Sequence, residues 1–246
     1  MAYFKTTIKA GRTLEIHKGY VKRTGKKISE GDKKKLTPEE IEKINEKNAE
    51  NKLRRKINAN FGCGDFHLIL TYRKEERPDK EKAKELIREF LKKMRKEYKA
   101  REAPLKYIQV TEYEKKAIHH HLIINDIENE NVIKIVRKLW KYGNPKMTTL
   151  DDTGQYKKLA QYLIKETAKT FRENRNEKKG QMQRWSCSRN LIEPEAEIKV
   201  VQAAKWKKEP KVPKGYYLDE ETLVNGICPF TGTEYQKYTL VKIVDG

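Results

Sequence analysis

Cysteine is scarce and scattered. Cys63, Cys187 and Cys228 are the only three, too few and too far apart for a disulfide framework or a zinc knuckle. Long apolar runs are missing as well. Stretches such as Leu122-Ile123-Ile124 fall far short of the roughly 18 residues of a membrane span. The N-terminus, MAYFKTTIKAGRTLEIHKGYVKR, holds no apolar segment of signal-peptide type. A cytoplasmic, reducing setting with no membrane partner is therefore expected. Negative charge is also in deficit: 36 acids face 56 lysines and arginines, for a formal charge of +20 and a pI near 9.6. So large a surplus repels itself, and its commonest reason is a polyanionic partner with a phosphate backbone.

The 246 residues are 36% hydrophobic and 37% charged, with a mean hydropathy of −0.97. At about 100–200 residues per domain, this is one large domain or one with appendages. The reading divides it into a basic N-terminal extension with a helix (1–59), a core (60–175) and a C-terminal extension with short strands (176–246). In the N-terminal part, 4–8 and 13–17 are short strand candidates. Thr37-Pro38-Glu39-Glu40 is a helix start with a capping box. In the core, FHLILTY (66–72) reads as a buried strand. Pro78-Asp79 opens a helix whose Ala83, Leu86, Ile87, Phe90, Leu91, Met94 and Tyr98 share a face. Strands follow at 106–114 and 118–125, with the turn at Lys115-Lys116. A helix spans 128–142, a short strand 147–150, and a third helix 155–171. The order β-α-β-β-α-β-α predicts an α+β domain, its sheet largely antiparallel, with helices on one side. Further short strands are expected at 184–188, 198–203 and 238–243.

Three of the five histidines are consecutive: His119, His120 and His121. Alternation along a strand puts His119 and His121 on one face with Ile123, and His120 on the other with Leu122 and Ile124. A two-residue turn at Lys115-Lys116 pairs Glu112 with His119 and Val110 with His121. Directly opposed residues share a face, so Glu112, His119 and His121 form a set of two imidazoles and one carboxylate suited to a metal ion. A three-residue turn would instead set Glu112 opposite His120. Lys-Lys is an unfavoured two-residue turn, so a four-residue loop over 114–117 in the first register is expected. On the third helix, Tyr156, Leu159, Ala160, Leu163 and Phe171 mark the core face, while Lys158, Tyr162, Lys165 and Lys169 make a separate stripe. A tyrosine among lysines suits attack on phosphate, because the cations bind the phosphodiester and favour the phenolate.

Together these features resemble the HUH endonucleases. His119-His120-His121 before Leu122-Ile123-Ile124 resembles their His-hydrophobe-His strand, with a histidine in the middle place. Glu112 resembles the metal-binding acid of the preceding strand, Tyr162-Leu163-Ile164-Lys165 the Tyr-x-x-Lys motif, and 66–72 the first motif strand. The likeness covers about 60–172 and is looser around RWSCSR (184–189). The tyrosine follows the histidines, as in rolling-circle replication initiators; relaxases place it before them. Position 158 is lysine and not a second tyrosine, so the chain resembles a one-tyrosine member.

The resemblance implies an RRM-like HUH domain with helices packed on its sheet. It implies that Glu112, His119 and His121 hold Mg²⁺ or Mn²⁺, although imidazole ligands equally suit zinc. It further implies nicking and rejoining of single-stranded DNA through a 5′-phosphotyrosine on Tyr162, with Lys165 stabilising charge. A single-stranded or hairpin origin is the expected partner, tracked by Lys158, Lys169, Arg73, Arg184 and Trp185. Tyr107, Tyr113 and Trp206 join Trp185 as candidates for stacking on bases. No Gly-x-x-x-x-Gly-Lys-Ser/Thr segment occurs, so a host helicase is expected alongside a host polymerase. The rival readings are a one-tyrosine transposase of the same chemistry and a non-catalytic DNA-binding module.

Overall fold

The structure is a computed structural model. It describes residues 2–20, 37–113, 117–175, 184–228 and 232–243; the side chains of 168–175 lie outside that description. In chain order the elements are β1 (Tyr3–Ala10), β2 (Thr13–Gly19), α1 (Pro38–Asn60), β3 (Phe66–Leu70), α2 (Lys80–Lys99), β4 (Tyr107–Tyr113), β5 (Ile118–Ile124), α3 (Val132–Leu139), β6 (Lys146–Thr149), α4 (Lys157–Arg175), β7 (Ser186–Cys187), β8 (Ala196–Val201), β9 (Tyr216–Ile227) and β10 (Glu234–Lys242). The fold class is α+β, with two five-stranded antiparallel sheets. The chain forms two units, one of Ala49–Ile192 and one of Met1–Asn48 with Glu193–Gly246. Among the described residues no helix is long and apolar enough to cross a membrane.

Helix starts follow their sequence signals. The Glu40 amide donates to Thr37 Oγ1 at 3.2 Å and the Thr37 amide donates to the Glu40 carboxylate at 2.9 Å, a complete capping box at α1. The Asp79 carboxylate accepts the Lys82 amide at 2.7 Å and caps α2.

In the Ala49–Ile192 unit the strand order is β6-β3-β5-β4-β7, every pair antiparallel. The expected β-α-β-β-α-β-α succession is present. The helices, however, cover both faces and not one. On the first face, α2 and α3 bury Leu86, Phe90, Met94, Ile135 and Trp140 against Leu68, Leu70, Leu122 and Ile124. On the second, Leu53 and Ile57 of α1 join Ala160, Leu163 and Ile164 of α4 over Ile108, Val110 and Ile123. The cause lies in the strands. Leu122-Ile123-Ile124 are consecutive, so apolar side chains leave β5 on both sides and each needs cover. The loop after α3 closes on the end of β3: Trp140 Nε1 donates to the Thr71 carbonyl at 2.9 Å. A Cβ on Gly143 would collide with that same carbonyl oxygen, so only glycine fits there.

In the other unit the order is β8-β1-β2-β10-β9, again all antiparallel. Here the two ends of the chain meet in one sheet, where the sequence reading treats 1–59 and 176–246 as separate extensions. β7, from the same C-terminal stretch, instead pairs with β4 through Ile108 and Cys187. Ile16, Tyr238 and Leu240 are buried on one face of the two-ended sheet, with Leu14, Tyr216 and Leu218 around them.

Candidate active site

The β4–β5 hairpin has the register expected for a loop of even length: Glu112 pairs with His119, Thr111 with His120, and Val110 with His121. The loop residues 114–116, with Lys115 and Lys116, lie outside the described residues. The three histidines therefore separate by face, and their surroundings differ.

His120 points into the first core. Tyr72 Oη lies 2.8 Å from its Nε2 and Thr111 Oγ1 lies 2.9 Å from its Nδ1. Burial pushes the imidazole pKa down to about 3 and raises that of the Tyr72 phenol. The ring is thus neutral. Tyr72 donates to Nε2, and Nδ1–H donates to Thr111. Both nitrogens are engaged, so His120 is a satisfied core residue and not a ligand. Tyr72→Phe is expected to leave Nε2 without a donor and to cost about 1–3 kcal/mol, read from the denaturant midpoint. Any stabilisation by divalent metal should survive that change; its loss would bring His120 into the site.

The other two histidines point to the α4 face. Glu112 Oε2 stands 3.6 Å from His119 Nδ1 and 3.5 Å from His121 Nε2. Glu112 and His121 are buried, while His119 is one-third exposed and opens the cluster to solvent. No three His, Cys, Asp or Glu donors among the described residues stand as a closed metal-binding group. The arrangement is instead one carboxylate oxygen bracketed by two imidazoles, at gaps wider than a good hydrogen bond. Donors about 2.0–2.2 Å from a shared ion stand roughly 3–3.5 Å from one another, so small closing movements bring this set into range. Burial pushes the His121 pKa down to about 4, with the neighbouring His67 and His119 adding to it. A neutral imidazole is the form that ligates.

Sequence reasoning misses His67. It projects from β3 to the same face, its ring stacked on that of His121 at 5.7 Å between centroids and 19° between planes. Burial pushes its pKa down to about 4. Its Nε2 and the His121 Nδ1 are both buried without a hydrogen-bond partner. Two unpartnered ring nitrogens beside a buried carboxylate suit a cation better than they suit a plain core.

Tyr162 stands over these rings. It meets His121 edge-on at 5.5 Å and His67 edge-on at 6.1 Å between centroids. Its neighbours at one-turn spacing, Lys158 and Lys165, are exposed, and Tyr162 itself is 39% exposed while Ala160, Leu163 and Ile164 are buried. One expectation is overturned. The lysine stripe does not favour the phenolate. Burial raises the Tyr162 pKa, and the carboxylates of Glu166 and Glu112 raise it further. The lysines extend into solvent, where water screens them.

The expected DNA-contacting residues are dispersed. Arg73 is exposed just after β3 and pairs with Glu76 at 2.9 Å. Arg184 is half-buried. Trp185 packs against the second core cluster, Tyr107 is buried with its hydroxyl accepting from Arg95 at 2.8 Å, and Tyr113 packs against the first cluster. Trp206 stacks on Tyr20 at 4.9 Å in the other unit. Apolar burial, not a free ring face, therefore accounts for these aromatics. Lys169 lies on α4, but its side chain is outside the described residues.

Residues 65–171 are similar to a family of replication-associated proteins, the ORF2 type. The match begins at the edge of β3 and ends within α4, so it takes in Glu112, the three histidines, His67 and Tyr162. It associates this stretch with replication. No curated protein and no solved structure matches the chain.

Proposed function

We propose that the chain is a metal-dependent HUH-type nuclease that nicks and rejoins single-stranded DNA to initiate rolling-circle replication. The observation that carries this reading is the packing of the exposed Tyr162 ring against His121, an imidazole that shares Glu112 with His119. A phenol, a carboxylate and two imidazoles on one open sheet face, in a chain of charge +20, suit a phosphodiester. The replication-associated family match over this stretch supports the biological role.

Glu112, His119 and His121 would hold a divalent ion, Mg²⁺ or Mn²⁺. When bound, such an ion supplies Lewis-acid polarisation of a phosphate oxygen. Tyr162 rests as a neutral phenol, so its Oη loses a proton as it bonds to phosphorus. The bond from phosphorus to the 3′-oxygen of the preceding nucleotide breaks, and that oxygen leaves as a 3′-hydroxyl. The 5′-phosphate stays on the tyrosine as an ester. Attack by a 3′-hydroxyl reverses these steps and frees Tyr162, so joining needs no added energy source. Lys165, one turn along α4, supplies a cation to the phosphate. Unwinding and synthesis fall to host helicase and polymerase.

Labelled oligonucleotides test this. With divalent metal, label at the 3′ end of the substrate should remain on the protein through detergent. Label at the 5′ end should leave on a fragment that a polymerase extends. Tight binding with no adduct under any metal would leave a DNA-binding module in its place.

A further inference from the structure

The sheet made from the two chain ends has a second face that the buried trio Ile16, Tyr238 and Leu240 does not use. Its composition follows from the register. One row crosses all five strands as Val200, Phe4, Gly19, Tyr235 and Gly226. The next row is Ile198, Thr6, His17, Lys237 and Val224. An outer sheet face in water ordinarily carries polar side chains. Here Ile198 is 62% exposed and Val200 55% exposed at one edge, and Val224 is exposed at the other. Between them lie aromatic rings and backbone.

The glycines give the rings their posture. A Cβ on Gly226 would meet the Tyr235 ring atoms Cζ and Oη at 2.9 Å. That ring therefore lies down along the sheet instead of standing away from it. His17 meets Tyr235 edge-on at 6.1 Å between centroids, and its Nε2 comes within 3.8 Å of where a Cβ would sit on Gly19. Lys237 Nζ lies 5.2 Å from the centre of the Tyr235 ring. Gly19 separates Phe4 from Tyr235, two strands apart, so roughly 10 Å of sheet between these rings is floored by backbone. His17 and Lys237 are exposed, and Phe4 and Tyr235 are half-buried.

We infer that this face binds unpaired bases of single-stranded DNA, at a site separate from Tyr162 and its histidines. Aromatic rings on an antiparallel sheet offer stacking surfaces to bases, and an adjacent lysine offers a partner to the connecting phosphate. The net charge of +20 favours a polyanion over a neutral or basic protein surface. The choice of single-stranded DNA rests on the nicking function proposed above; the stacking geometry stands apart from it.

The test uses the full chain carrying Tyr162→Phe, in chelator, so that neither cleavage nor metal enters the reading. Fluorescence anisotropy with an oligothymidylate of about twelve nucleotides reports affinity. Tyr235→Leu keeps apolar volume but removes the ring, and should weaken binding roughly tenfold. Lys237→Gln should lessen the dependence on salt by roughly one phosphate contact. Neither should alter affinity for duplex DNA. Photocrosslinks from iodouracil-substituted strands should map to peptides within 2–20 and 232–243. Circular dichroism confirms folding; if Tyr235→Leu fails to fold, Lys237→Gln and the crosslink map decide. Unchanged single-strand affinity in folded variants, or crosslinks only outside these strands, overturns the proposal. So does a changed oligomeric state with DNA binding intact, which would make the face a protein interface. Failure of wild-type protein to form an adduct would count against the nuclease and leave this result standing.

Discussion

Tyr162→Phe is expected to abolish covalent capture of DNA while leaving DNA binding within about threefold of the parent protein. The substitution removes one oxygen and nothing else. The ring that meets His121 at 5.5 Å and His67 at 6.1 Å remains, so the packing of α4 on the sheet is retained. An exposed position away from the core also keeps the change in stability within about 0.5 kcal/mol. A chain without the nucleophile has no route to a tyrosyl ester, so the adduct should fall at least about 10⁴-fold, to the limit of detection. Gel electrophoresis in detergent with 3′-labelled substrate measures this directly. If the adduct persists at the parental level, another residue is the nucleophile. Tyr156 does not replace it: that side chain is buried, and its hydroxyl donates to the Asp151 carbonyl at 2.9 Å.

Much of this geometry is legible in the sequence, for a definable reason. A one-residue slip in the β4–β5 hairpin would exchange the faces of every residue in β5 relative to Glu112. The alternation around His119 and His121, with a loop of even length, therefore specifies which side chains face Glu112. The capping box at Thr37 and the apolar face of α2 are equally local. What escapes is non-local. His67 sits alone in an apolar strand and looks like a core residue until β3 is laid beside β5. The raised pKa of Tyr162 depends partly on Glu112, which lies far away in sequence on β4, so a helical stripe of lysines suggests the wrong sign. The two-ended sheet joins β1 to β8 across most of the chain, and no short-range pattern encodes such pairing. β9 escapes because Asp219, Glu220 and Glu221 interrupt its apolar alternation.

Glu112→Gln should separate a metal ligand from a structural carboxylate more sharply than any histidine substitution. The side chain keeps its size, so no cavity forms. In metal-free protein, an ionised carboxylate buried among neutral imidazoles bears a desolvation cost that a neutral amide largely escapes. The metal-free variant is therefore expected to unfold at or slightly above the parental temperature. With Mn²⁺ at about one hundred times its dissociation constant, the parent should gain about 2.7 kcal/mol. For a chain of this size that corresponds to roughly 5–10 °C in the unfolding transition. Glu112→Gln should lose most of that gain, because an amide oxygen is a neutral donor where the ion requires charge. Metal-dependent cleavage should fall at least about a hundredfold with it. Differential scanning fluorimetry with and without Mn²⁺ reads the stability change, and the labelled-oligonucleotide assay reads the cleavage. A variant that is destabilised without metal yet still gains the full shift would mean that Glu112 serves the fold and that the ion sits elsewhere. The buried and unpartnered His67 Nε2 and His121 Nδ1 would then be the first donors to substitute.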